Sequence, residues 1–207
     1  MEDVLSVYGR SYDADYPVVC MDEKPVQFFA EKRKSFKKQG IEYYDNEYIR
    51  NGTACIFLFT EPLAGWRYAD AQERRTKSDW AKQIEWLLEK QYPEAKKVVL
   101  VMDNLNTHGI SSLYEEFPPD KAFMLASRLE IHFTPKHGSW LNIAEIELSA
   151  LGRQCLGSRR IPNLAILRNE LSPWYRERNK NQKSVSWQFT ADEARIKLKK
   201  LYPVLTF

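Results

Sequence analysis

Short, unbroken apolar runs punctuate the chain, and two of them stop at an aspartate. Val18-Val19-Cys20-Met21 runs into Asp22, and Val98-Val99-Leu100-Val101-Met102 runs into Asp103. Runs of this length with no polar alternation predict strands, and the second predicts a central strand buried on both faces. Pro17 precedes the first strand, expected over roughly 18 to 23, and Val26-Gln27-Phe28-Phe29-Ala30 reads as its hairpin partner. The turn signal Asn51-Gly52 leads into Thr53-Ala54-Cys55-Ile56-Phe57-Leu58-Phe59-Thr60, whose β-formers predict another strand. A further strand is expected from Leu129 to Thr134.

Between and after these runs the apolar period changes. From Ser78 to Lys90, Trp80, Ile84, Leu87 and Leu88 recur at helical spacing, with Ser78 or Asp79 available to cap the start. After a polar turn, Pro119 to Leu129 reads as a helix, as do 142–155, 162–179, 190–201 and a short segment over 2–9. Strands come first, then strands alternating with helices, then helices, which predicts an α/β fold with a mixed sheet covered by helices. No internal repeat, low-complexity tract or Gly/Pro/Ser-rich linker marks a boundary, so 1–207 reads as a single domain.

The 207 residues are 43% hydrophobic and 13% aromatic, enough for a substantial core. No apolar stretch approaches the roughly 20 residues of a membrane span, and Met-Glu-Asp-Val-Leu at the start lacks a signal layout, so a cytoplasmic address is expected. Cys20, Cys55 and Cys155 are odd in number and far apart; they read as packing residues rather than a disulfide framework or zinc site. A net charge of +3 is small, but the basic residues are bunched: Lys32-Arg33-Lys34 with Lys37-Lys38, Arg74-Arg75, Arg159-Arg160, Arg176 with Arg178 and Lys180, and Lys197 with Lys199-Lys200. Each cluster suits a solvated helix face. Beside an acidic site with a polyanionic substrate, some become candidates for positioning phosphates.

A third acid completes the chemistry. In Thr134-Pro135-Lys136-His137-Gly138-Ser139-Trp140-Leu141-Asn142-Ile143-Ala144-Glu145 a strand gives way to a helix that carries Glu145. Neighbouring strands can deliver Asp22 and Asp103 to one sheet edge, where sites of open α/β folds lie. Glu147 competes with Glu145, but would point about 200° away around a helix of 3.6 residues per turn. Asn142, Glu145 and Ser149 share a polar stripe, whereas Glu147 falls beside Ile143, Ala150 and Leu151, so Glu145 is preferred. A single strand-end acid is ordinarily a cap or a surface group; three in these contexts suggest a site for hard divalent cations. Two such ions about 3.5–4 Å apart can activate a nucleophile and neutralise a pentacovalent phosphorus centre.

These motifs carry a resemblance. Met-Asp-Glu at 21–23, Met-Asp-Asn-Leu-Asn-Thr-His at 102–108 and the segment 134–145 together resemble the catalytic domain of the DDE transposases, and more narrowly the bacterial insertion-sequence branch of the mariner superfamily. Similarity extends to 48–54 and 153–156 and so covers nearly the whole chain. The spacing from Asp103 to Glu145 is somewhat longer than in eukaryotic mariner members, which favours the insertion-sequence branch. The resemblance implies a ribonuclease-H-like fold, with Asp22, Asp103 and Glu145 as an acidic triad binding two Mg²⁺ or Mn²⁺ ions. It implies hydrolysis at transposon ends followed by attack of the freed 3′-hydroxyl on target DNA, typically at TA. The implied partners are double-stranded DNA, as ends and target, and further copies of the chain when active. In a bacterial cell the DNA-bound protein would be associated with the nucleoid. Full-length relatives carry helix-turn-helix modules ahead of the catalytic domain, and the residues before Asp22 are too few to hold one; an upstream partner or missing N-terminal part is therefore expected.

The neighbours of the triad have competing readings. Glu23 is either a support behind the acids or a surface acid. Asn104 and His108 orient the attacking water, contact a phosphate or brace their loop. Lys136 and His137 are candidate DNA contacts, as is Asn142. Trp140 stacks on an unpaired base or plugs the core, with core preferred, and His132 reads as structural. Rival functions are a catalytically silent relic acting as a non-specific DNA-binding or interaction module, which the intact triad disfavours, and a nuclease for hybrids or branched DNA, which Trp-Leu-Asn-Ile-Ala-Glu disfavours.

Overall fold

A computed structural model of the chain describes residues 1–32, 36–43, 47–136, 138–157 and 159–202. Its centre is a five-stranded mixed sheet in the order β5-β4-β1-β6-β7, built from β1 (Val18–Glu31), β4 (Tyr48–Glu61), β5 (Trp66–Gln72), β6 (Val98–Met102) and β7 (Leu129–Phe133). A small hairpin of β2 (Phe36–Lys38) and β3 (Ile41–Tyr43) lies between β1 and β4 in the chain. β4 runs antiparallel to β1 and β5, whereas β6 runs parallel to β1 and β7. Helices pack on both faces, giving the ribonuclease-H-like α/β architecture.

Strand alternation sorts the core into two layers. Val18, Cys20, Val99 and Val101 face α1 (Glu2–Tyr8), α5 (Ala144–Leu151) and α6 (Leu164–Lys180); Val19, Met21, Leu100 and Met102 face α2 (Lys77–Trp86), α3 (Ile110–Glu116) and α4 (Pro119–Ser127). α7 (Ala191–Lys197) closes against α1. Every residue of β6 is fully buried, as its unbroken apolar run predicts. All three cysteines are buried and free.

Several boundaries differ from the sequence-based expectation. Residues 26–30 are not a hairpin partner of β1 but its continuation, and the partner is β4, paired from Cys20↔Thr60 to Glu31↔Tyr48 around a bulge at Gln27/Phe29. The paired register between β1 and β6 ends at Cys20, so Pro25 lies where β1 has a sheet neighbour on one side only, a position that accommodates proline. The helix expected over 78–90 is capped by Thr76, in a capping box with Asp79, and passes after Trp86 into a π turn over Leu87–Gln91. α5 likewise passes into a π turn over Gly152–Leu156. α3 and β5 carry no expectation from sequence. In β5 the inward positions are Arg67, Ala69 and Ala71, so the strand lacks the large apolar residues that announce the others.

Candidate active site

Register, rather than mere adjacency, brings the two aspartates together. The parallel pairing Val18↔Val99, Val19↔Leu100, Cys20↔Val101, carried two residues further, sets Asp22 beside Asp103. Adjacent strands lie about 4.8 Å apart, and alternation turns both side chains toward the face that α5 covers. Three hydrogen bonds fix the start of that helix. Asn142 Nδ2 donates to the Met21 carbonyl at 2.8 Å, Ala144 N donates to Asn142 Oδ1 at 3.1 Å, and Tyr8 Oη donates to the Leu141 carbonyl at 2.7 Å. Asn142 thus ties the first residue of α5 to the strand residue just before Asp22. It is buried, and so serves as a brace rather than a DNA contact. Gly138, in the turn leading to this point, has no room for a side chain: a Cβ there would lie 2.5 Å from Pro135 Cγ.

Asp22 registers its company electrostatically. Burial pushes its carboxyl up to about 7, and the charges of Asp103, Glu145 and Glu23 add to the rise against a lowering hydrogen bond from the Glu23 backbone N–H, 2.7 Å from Asp22 Oδ1. The Glu145 carboxylate is exposed and makes no hydrogen bond or ion pair among the described residues. No three His, Cys, Asp or Glu side chains among the described residues stand close enough to hold a metal ion as they are. The donor chemistry nonetheless suits Mg²⁺ or Mn²⁺: oxygen donors only, two of them paired by strand register and a third on a side chain free to swing.

His108 bridges behind the acids. Its Nε2 lies 2.8 Å from Glu23 Oε1 and its Nδ1 2.9 Å from Asp103 Oδ1, and both His108 and Glu23 are almost wholly enclosed. The ring lies against Trp80, with centroids 6.1 Å apart. Burial alone would lower the imidazole, but the hydrogen bonds to Asp103 and Glu23, reinforced by their charges, outweigh it and raise it to about 9. Glu23 is therefore a support and not a surface acid, and Arg75 Nη1 approaches its other oxygen at 3.7 Å.

Glu147, on the opposite side of α5 from Glu145, is committed elsewhere. Its carboxylate is buried between Arg67 and Arg178, at 3.1 and 2.8 Å. Arg67 Nη2 also donates to the Lys183 carbonyl at 2.6 Å, and its backbone exchanges hydrogen bonds with Asn179, locking β5, α5 and α6 together. Sequence marks Arg178 only as one of a basic cluster and Arg67 not at all, because an Arg–Glu–Arg group has no local pattern.

The remaining candidates divide. Asn104 and Lys136 are exposed, and His137 lies outside the described residues. Trp140 is no core plug: it is 44% exposed and only tilts against Phe189 at 6.3 Å, because the neighbouring Leu141 takes the inward position of the turn. His132 is structural, paired with Asp3 and Glu130 at 2.8 and 2.9 Å. Several clustered cations are also engaged: Arg159 with Glu170, Arg178 with Glu147, Lys180 with Glu177 and Lys197 with Glu193. Arg33 and Lys34 lie outside the described residues.

Two parallel strands bearing aspartates and a tethered helix bearing a glutamate, on a ribonuclease-H-like sheet, define a nuclease-type phosphoryl-transfer architecture. The family model of the DDE superfamily endonucleases matches residues 17–168, and the chain belongs to that family. The fold is that of the Mos1 transposase. The paired-end complex of Mos1 with the left transposon end is 17% identical over 84% of this chain and 51% of that one, with a TM-score of 0.56. The Mos1 mariner paired-end complex with Mn is 18% identical over 87% of this chain and 55% of that one, TM-score 0.55. A pre-cleavage Mos1 transpososome is 16% identical over 87% and 58%, TM-score 0.52. The chain therefore spans little more than half the length of these structures. No curated protein matches it. Among the described residues, no helix is long and apolar enough to cross a membrane.

Proposed function

We propose that this chain is the catalytic domain, as a single unit over 1–207, of a metal-dependent DNA transposase of the insertion-sequence branch. It hydrolyses phosphodiesters at transposon ends and transfers the freed 3′-hydroxyl into target DNA at TA sites. The observation that carries this reading is the in-register placement of Asp22 and Asp103, with Glu145 on a helix tethered through Asn142 to the strand residue preceding Asp22. Asp22, Asp103 and Glu145 would hold Mg²⁺ or Mn²⁺, two ions in the working site. Such a pair supplies an activated water or hydroxyl and offsets the charge that builds on phosphorus.

The chain's own residues set up that chemistry. Asp22 surrenders its proton when a cation arrives, His108 holds Asp103 in one orientation, and Asn142 keeps the helix of Glu145 from drifting. The exposed carboxylate of Glu145 would complete the donor set. Solved structures sharing the fold are complexes with transposon ends and with Mn or Mg, which supports duplex DNA as substrate and these metals as cofactors. Further copies of the chain complete the active assembly.

The test is nicking of supercoiled DNA bearing the element's inverted repeats, with Mg²⁺ or Mn²⁺. Cleavage at the repeat boundary that disappears in Asp103→Asn is expected. DNA binding without cleavage under either metal would instead identify a silent binding module.

A further inference from the structure

Lys24 stands two residues beyond Asp22 on β1, and strand alternation puts the two on one face. Val18, Cys20, Val26 and Phe28, at the same parity, all pack in the layer beneath α1, α5 and α6. Lys24 occupies the gap in that row between Asp22 and the apolar positions. It is half-buried, and its Cε lies 4.0 Å from where a side chain on Gly152 would begin. The aliphatic stem therefore runs along the junction at which α5 passes into its π turn, the helix that carries Glu145. Ser149 and Arg153, one and two turns beyond Glu145, are exposed along the same helix.

The ammonium makes no hydrogen bond or ion pair among the described residues, and this sets it apart from the other cations near the core. Arg67 and Arg178 share Glu147, Arg168 reaches Asp70, and Arg75 reaches Glu23. The half-burial covers the aliphatic stem, and the compact, strongly hydrated ammonium at its end has no anion of the protein to hold it, which leaves it available to one from outside. Two residues along a strand is roughly 6.7 Å, which clears the acidic pair yet stays within reach of the next group along a nucleic-acid strand lying across it.

We propose that Lys24 is a positioning residue for the DNA strand. Its ammonium binds the phosphate adjacent to the one being cut, so that the scissile phosphate lies over Asp22 and Asp103. This rests on the acids being a phosphodiester site, as proposed above.

Three variants of the full chain test it. Lys24→Met keeps the stem and removes the charge, Lys24→Arg keeps the charge, and Lys90→Gln removes an exposed charge from the π turn at the far end of α2. Binding to a random-sequence duplex is measured without divalent metal at several salt concentrations, alongside melting temperature and the dependence of nicking on DNA concentration. Lys24→Met should melt like the parent, bind about fivefold more weakly at low salt with a salt slope shallower by about one, and need more DNA to reach the same nicking rate. Lys24→Arg should recover most of the affinity and Lys90→Gln should match the parent. An unchanged slope and affinity in Lys24→Met, or the same loss in Lys90→Gln, overturns the assignment while leaving the acidic site standing. A parent that neither binds nor nicks DNA under any condition removes the phosphodiester reading and this assignment with it.

Discussion

His108 Nδ1 lies 2.9 Å from Asp103 Oδ1, and the imidazole that makes this contact is almost completely enclosed by protein. The contact fixes an acid at the end of its strand, where β6 has stopped and backbone pairing no longer restrains the chain. Through its other nitrogen the ring reaches Glu23, next to Asp22, so one side chain braces the end of β6 against β1 just beyond the point where their pairing stops.

Replacing His108 with Ala leaves the enclosed Glu23 carboxylate short of a partner and frees Asp103. Loss of the hydrogen bond to the enclosed Glu23 carboxylate costs about 1.5–3 kcal/mol, and a urea titration should show a loss of at least that size. The native imidazole titrates near 9, above its ordinary value of 6.5. Its stabilising contribution should therefore be fully present below about 6.5 and fade as pH rises through about 9. Chemical denaturation of the metal-free protein across that window, in parent and His108→Ala, checks the sign: the gap between them should narrow as pH rises.

Asp22 contributes with the same sign over a lower pH window. Its native carboxyl titrates near 7 rather than 3.8, so in metal-free protein it favours folding below 3.8 and that contribution disappears as pH rises through about 7. A divalent cation must displace the same proton. The rise in melting temperature caused by Mg²⁺ or Mn²⁺ should grow as pH climbs through 7. Asp103→Asn should show a smaller metal-induced shift and lose cleavage; equal shifts in parent and variant would place the cation elsewhere.

Glu145 and Glu147 should separate cleanly. Glu147→Ala strands two arginines, one of them buried, and should cost about 3–5 kcal/mol by urea denaturation. Glu145→Gln, at an exposed carboxylate, should stay within about 0.5 kcal/mol of the parent and abolish nicking. A stable, active Glu147→Ala would reverse the assignment of the two.

Asn142→Ala removes the donor to the Met21 carbonyl and the acceptor for Ala144 N. Leaving those buried groups unpaired should cost about 1–3 kcal/mol. Nicking should fall further than stability does, since the released helix start carries Glu145; comparing nicking rates well below the melting temperature distinguishes the two effects.

Much of this protein follows from its sequence alone. Apolar runs that stop at Asp22 and Asp103 mark where burial on both faces gives out, because a strand buried on both faces must be apolar until it emerges; Asp103 does follow the end of β6, whereas β1 continues through Asp22 to Glu31. Helical phase separates Glu145 from Glu147, because positions two apart on a helix face nearly opposite ways. The extent of β1 beyond Pro25, the exposure of Trp140, the burial of Glu23 and the Arg67–Glu147–Arg178 latch were decided only by tertiary structure. Each depends on what a distant segment brings. β4 supplies the pairing that keeps Pro25 in a strand, Leu141 takes the inward place from Trp140, His108 encloses Glu23 across the end of the sheet, and β5 and α6 deliver the two arginines. A local pattern records whether a residue is apolar and which way it faces, but a buried charge is tolerated only by its partner, and that partner stands elsewhere in the chain.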